Sequence, residues 1–155
     1  VIGTGPEAHR WKEPSGASYR VKASHCFRSD TVTAVADGLE PKNSNDHSIP
    51  RFTWWDHRGT KEWIQADFSK PRKVSKVYVY WFDDTGTGQC RVPRSWRLLY
   101  RAKGKWVPVP NPSSFGTAKD KYNTTTFDPV ITDALRIEVK LREGYSGGIL
   151  EWKIE

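Results

Sequence analysis

Residues 134–142 read Ala134-Leu135-Arg136-Ile137-Glu138-Val139-Lys140-Leu141-Arg142, so Leu135, Ile137, Val139 and Leu141 alternate without a break with Arg136, Glu138, Lys140 and Arg142. Side chains of an extended chain point to opposite faces in turn. This spacing therefore predicts a strand with one face in a core and the other in water. Downstream, Leu150, Trp152 and Ile154 alternate with Glu151 and Lys153. Upstream, Trp96, Leu98 and Tyr100 alternate, and Lys103-Gly104 predicts a hairpin turn before Trp106, Val107 and Val109. Earlier still, Val77, Val79 and Trp81 share one face and Tyr78, Tyr80 and Phe82 the other, and Ile64, Ala66 and Phe68 share a face before Pro71. No segment keeps an apolar period of 3.6 residues for three turns. Many short strands without helices between them predict an all-β antiparallel sandwich or barrel.

Three stretches break the alternation: Asp37 to Lys61, Asp83 to Pro93 and Glu143 to Gly148, each rich in Gly, Pro or polar residues. Loops on a rigid β scaffold are where binding residues concentrate, so these three are expected to meet at one end of the fold. Residues 1–17 read as an irregular lead-in or linker and residues 18–155 as one module. A chain of 155 residues with eight Trp, six Tyr and six Phe has the material for one sizeable core. The absence of Met and the opening Val1-Ile2-Gly3 suggest an excised module, or one end of a larger mature protein.

The formal charge is +7, but Lys and Arg are spread along the chain and interleaved with carboxylates, which points to a solvated sheet face rather than a nucleic-acid surface. No run approaches the ~20 apolar residues of a membrane helix. Cys26 and Cys90 have no C-x-x-C spacing and are compatible with one disulfide or with two buried thiols. Nothing forms a catalytic constellation. Asp83 and Asp84 are adjacent, so in extended chain they point apart, whereas paired acid/base carboxylates must flank one bond. Asp56 and His57 lack a nucleophile setting, and His9, His25, His47 and His57 show no metal-binding helical spacing. The expectation is a protein that binds and does not catalyse.

An ordered set of segments carries a resemblance. Ala34-Val35-Ala36-Asp37-Gly38 is followed by Trp63-Ile64-Gln65-Ala66-Asp67-Phe68 and by Val74 to Trp81. Then come Pro93-Arg94-Ser95-Trp96-Arg97-Leu98-Leu99-Tyr100, Phe127-Asp128-Pro129-Val130 and Gly148-Ile149-Leu150-Glu151-Trp152. From about Ser18 to Glu155 the chain resembles the discoidin family, also called coagulation-factor C-type or galactose-binding-like domains. Within it, the carbohydrate-binding modules of family thirty-two are most similar. The loop Asn43 to Arg58 and the segment Gly88 to Pro93 also look like modules appended to bacterial β-L-arabinofuranosidase-type glycoside hydrolases.

The resemblance implies an antiparallel jelly-roll β-sandwich that binds a galactose- or arabinose-containing glycan at its loop end and targets an attached glycoside hydrolase. The parent would be exported: secreted, periplasmic or on the cell surface. It also implies a structural calcium, with Asp37 and Glu151 as matching carboxylates and Asn43, Ser44 or Thr53 as further oxygens. Tyr145, before Gly147-Gly148-Ile149, falls where such modules place an aromatic against the sugar ring. Of the adjacent pair, Trp55 echoes the family pattern and is expected to bury, leaving Trp54 freer for ligand. His57, Arg58, Asn45 and His47 in the first loop and Asp83, Asp84 and Arg91 in the second are candidates for the sugar hydroxyls. Trp63, Trp81, Trp96, Trp106 and Trp152 are assigned to core or sheet packing. The alternatives are a protein- or lipid-binding discoidin domain and a sandwich that only packs on its own catalytic domain.

Overall fold

The computed structural model describes residues 9–12 and 18–155. Eight strands appear in chain order: β1 (His9–Lys12), β2 (Ser18–Ala23), β3 (Phe52–Thr53), β4 (Lys61–Phe82), β5 (Ser95–Ala102), β6 (Lys105–Pro108), β7 (Asn123–Lys140) and β8 (Gly148–Ile154), with a short 3-10 helix at Val32–Ala36. The lead-in is thus not wholly irregular: β1 pairs antiparallel with β2, His9 opposite Val21. Residues 1–8 and 13–17 lie outside the described residues.

Two long strands build the sandwich. β4 and β7 run antiparallel, but their register slips between Asp67 and Arg72 and again between Val74 and Lys76. A strand with an unpaired insertion bends and twists there, so each long strand serves two sheets. The early part of β4 pairs β2 on one side and the late part of β7 on the other, with β5 and β6 beyond. The late part of β4 pairs the early part of β7 and, on its other side, β8, which carries β3. The result is an antiparallel jelly-roll sandwich.

The alternation places the core as expected. Ile64, Ile137 and Leu98 are cross-strand neighbours and are fully buried, as are Val77, Val79 and Trp81 from the second sheet. Burying each such aliphatic side chain stabilises by about 1.5–3 kcal/mol. Trp81 and Trp96 both donate their indole N–H to the Gly116 carbonyl, at 3.0 and 2.8 Å, which satisfies two buried polar groups with one acceptor. The β5–β6 hairpin turns at Lys103 (φ 52°) and Gly104 (φ 76°), the paired positive φ of a two-residue turn that follows the strand twist. Cys26 lies in the main core, and Cys90 in a separate cluster with Tyr80, Phe82 and Leu150. Both are free thiols pushed up to about 12 by burial.

The two outer faces differ. Tyr80, Phe82 and Leu150, on the outward side of the second sheet, are roofed by the long first loop: His47 meets Phe82 edge-on and Arg51 lies over the same ring. Among the described residues, the outward side of the first sheet carries no such roof. Its side chains form a charged lattice in which Arg101 reaches Asp67 and Asp133, and Arg97 reaches Glu138. Trp63 and Trp106 do not enter the core; they sandwich the Arg136 guanidinium at 4.2 and 4.4 Å.

Candidate functional site

The three loops do meet. The Asp83 amide donates to the Ser44 carbonyl, the Arg91 amide to Ser146, the Ser146 amide to Gln89, and the Gly59 amide to Tyr145. Gly148 permits this closure, because a Cβ there would lie 2.3 Å from the Phe52 carbonyl oxygen of β3.

At the junction stand two arginine–aromatic stacks. The Arg91 guanidinium lies 4.4 Å over the ring of half-buried Tyr145 and is fixed by hydrogen bonds from its Nη1 to the Gly88 and Cys90 carbonyls. Arg58 lies 4.6 Å over the ring of Trp55. The hydroxyl of Tyr145 has no hydrogen-bond partner among the described residues.

The tryptophan pair is reversed from expectation. Trp54 is fully buried, edge-on to Phe52, with its indole N–H donated to the Trp63 carbonyl at 3.2 Å. Trp55 is the half-exposed one. The reason is strand parity: the Trp54 amide bonds the Gly147 carbonyl, extending the β3 alignment by one residue, so Phe52 and Trp54 share the core side. The F-x-W spacing carried that signal.

His57 keeps its place at the rim. Its Nδ1–H donates to Glu62 at 2.8 Å, and its ring stacks on His25 at 3.8 Å. His25 in turn donates its Nε2–H to the Trp55 carbonyl at 2.8 Å. Buried Glu62 also accepts from Ser24 and Thr60, each at 2.6 Å, so it anchors the whole turn beneath Trp55. Neither His25 nor Glu62 was foreseen from sequence, since neither lies in the three loops and no local pattern links them.

Asp83 and Asp84 are corrected. Both are buried, and both staple their own loop: Asp83 accepts from the Thr85 and Val92 amides at 3.1 and 2.9 Å, and Asp84 from the Cys90 amide at 2.8 Å. Burial raises the pKa of Asp83, but the Thr85 and Val92 bonds and nearby Lys119 outweigh it and hold the carboxyl below its usual range. Asn45 bonds His47 and Thr87, bridging the first and second loops away from Tyr145.

Asp37 and Glu151, the two carboxylates expected at a cation site, are neighbours. The two carboxyl groups are electrostatic neighbours, and the Gly38 amide donates to Glu151 Oε2 at 3.2 Å. Glu151 is buried, and its Oε1 has no partner. Burial first, then the neighbouring Asp37, pushes its carboxyl up to about 9. An orphaned buried carboxylate oxygen beside a second carboxylate fits an oxygen-seeking cation such as calcium. Asn43 and Ser44 are corrected: Asn43 caps the Asn45 amide, and Ser44 exchanges hydrogen bonds with Asp120. Thr53 donates to Asp30 instead. No group of three or more His, Cys, Asp or Glu that could hold a metal is present among the described residues, so any further ligands would be neutral oxygens.

Residues 20–152 match the F5/8 type C domain family. The chain belongs to the F5/8 type C family. No curated protein sequence matches it. Among solved structures, this F5/8 type C domain is similar to a structure from the Streptococcus pneumoniae β-galactosidase BgaA, at 26% identity and TM-score 0.72, over 86% of this chain and 89% of that one. It is also similar to the family 32 carbohydrate-binding module of C. perfringens NanJ, solved with galactose, at 16% identity and TM-score 0.66, over 88% and 92% of the two chains. A Ruminococcus gnavus GH29 fucosidase matches 92% of this chain with only 25% of its own, at 18% identity and TM-score 0.60. In that enzyme the F5/8 type C fold is one part of a larger protein.

Proposed function

We propose that this F5/8 type C domain is a non-catalytic carbohydrate-binding module, and that its loop end binds a galactose- or arabinose-containing glycan. The observation that carries the reading is the pair of arginine–aromatic stacks at the junction of three loops. A sugar ring offers an apolar C–H face and a rim of hydroxyls. Tyr145 and Trp55 supply apolar surface, while Arg91, Arg58 and the rim of His57 supply charged or polar partners for hydroxyls. The fold shared with sugar-bound and enzyme-borne structures agrees with this. The domain would hold a parent glycoside hydrolase, exported from the cell, near its polymer by raising local concentration; binding inserts nothing into a membrane and engages no nucleic acid. Calcium, held by Asp37 and Glu151, would fix the 3-10 helix and the segment after it to β8.

The test is retention on immobilised galactose- and arabinose-bearing glycans, with and without calcium. Tyr145→Ala is expected to weaken binding by about tenfold while leaving the fold intact. Absence of retention on every glycan of both kinds would leave the packing-only alternative standing.

A further inference from the structure

An open groove of about 410 Å³ lies on the outer face of the first sheet, lined by residues of β4, β5 and β7, with Lys61 at the point where the first loop enters β4. Its walls follow directly from the register. Lys61, Lys140 and Ser95 form one row across β4, β7 and β5, and Trp63, Glu138 and Arg97 form the next. Residues directly opposite on neighbouring strands have Cβ atoms about 4.5–5.5 Å apart, where like charges repel. Lys61 and Lys140 are such a pair. Both are exposed, and neither has a carboxylate partner among the described residues. The nearby carboxylates are committed: Glu138 Oε1 accepts from Arg97 at 2.8 Å, and Glu62 is bound beneath the sheet by Ser24, Thr60 and His57.

Beside this unrelieved pair stands a fixed aromatic wall. Arg136 covers one side of the Trp63 ring and is itself clamped by two hydrogen bonds to Gln65, at 3.1 and 2.7 Å. Trp63 lines the groove and Arg136 does not.

We infer that this groove is a second glycan site and that it takes a uronate-bearing polysaccharide, whose carboxylate sits between Lys61 and Lys140 and whose ring lies against Trp63. The charge pattern favours this occupant over a nucleic acid. A sugar acid brings ring hydroxyls that donate to Glu138 and acceptors for Arg97, whereas the phosphates of a phosphodiester chain only accept. The inference rests on the carbohydrate reading for the kind of ligand but not for its location.

The experiment measures affinity of the whole chain for polygalacturonate, for its methyl ester and for single-stranded DNA, at two salt concentrations. Polygalacturonate is expected to bind more tightly than its ester and to weaken with salt. Lys61→Gln/Lys140→Gln, at exposed positions that leave the melting temperature unchanged, is expected to lose about tenfold or more. Tyr145→Ala is expected to keep polygalacturonate binding within about twofold while losing neutral glycan, so the two sites fail separately. Equal affinity of the wild type and the double variant overturns the inference. So does tighter binding of DNA than of polygalacturonate, which would make the face a nucleic-acid surface. Lack of polygalacturonate binding with neutral retention intact overturns the groove alone.

Discussion

The loop end and the open sheet face both display charged and aromatic side chains, yet they use them in opposite ways. In the loops the carboxylates are spent on the backbone: Asp83, Asp84 and Asp46 accept from amides of Thr85, Val92, Cys90, Lys42 and Ser48. An irregular chain has no ladder to satisfy its amides, so nearby short acidic side chains take that role. What is left for a ligand is the arginine–aromatic stacks. On the sheet the ladder satisfies every neighbouring amide. Side chains there are free to pair, as Arg97 does with Glu138, or to have no ion-pair partner among the described residues, as Lys61 and Lys140 do.

This contrast breaks most visibly on substitution. Asp83→Ala strands two amides and removes a buried acceptor, and is expected to cost about 2–4 kcal/mol in chemical denaturation. Lys61→Ala, outside any hydrogen bond or ion pair among the described residues, is expected to stay within about 0.5 kcal/mol. Similar costs at the two positions would remove the distinction.

The smallest expected effect is acid sensitivity confined to the loops. Hydrogen bonds from the Ser48 hydroxyl and the Lys42 and Ser48 amides lower the Asp46 carboxyl to about 2, and Asp83 is also lowered. A carboxyl whose folded pKa is depressed stabilises above its unfolded value and loses that stability as pH falls through the folded one. The protection of the segments 42–48 and 85–92 against hydrogen exchange, relative to intrinsic rates, is therefore expected to fall between about pH 4 and pH 2, ahead of the strands. Uniform loss of protection across β4 and β7 would contradict it.

The fold was legible because strand alternation is a local signal, and Leu135 to Leu141 and Leu150 to Ile154 display it in full. The bends of β4 and β7 were not, since a register slip depends on the partner strand. The convergence of the three loops was legible, and so was the proximity of Asp37 and Glu151. Several individual side chains were not. Asp83 and Asp84 read as free polar groups because nothing local shows which distant amide a loop carboxylate will cap. His25 and Glu62 were missed because their partnership with His57 exists only after β2 and β4 pair. Trp54 and Trp55 were exchanged because a likeness outweighed the F-x-W parity that the sequence itself carried.

The central claim is that sugar binds where Tyr145, Arg91, Trp55 and Arg58 meet. Titrating the isotope-labelled domain with galactose- and arabinose-bearing oligosaccharides and following its amide and indole N–H resonances tests this most directly. The account predicts saturable shifts at Tyr145, Arg91 and the Trp55 indole, with the buried Trp54 indole unmoved. Shifts confined to other surfaces, or none at saturating sugar, would contradict it.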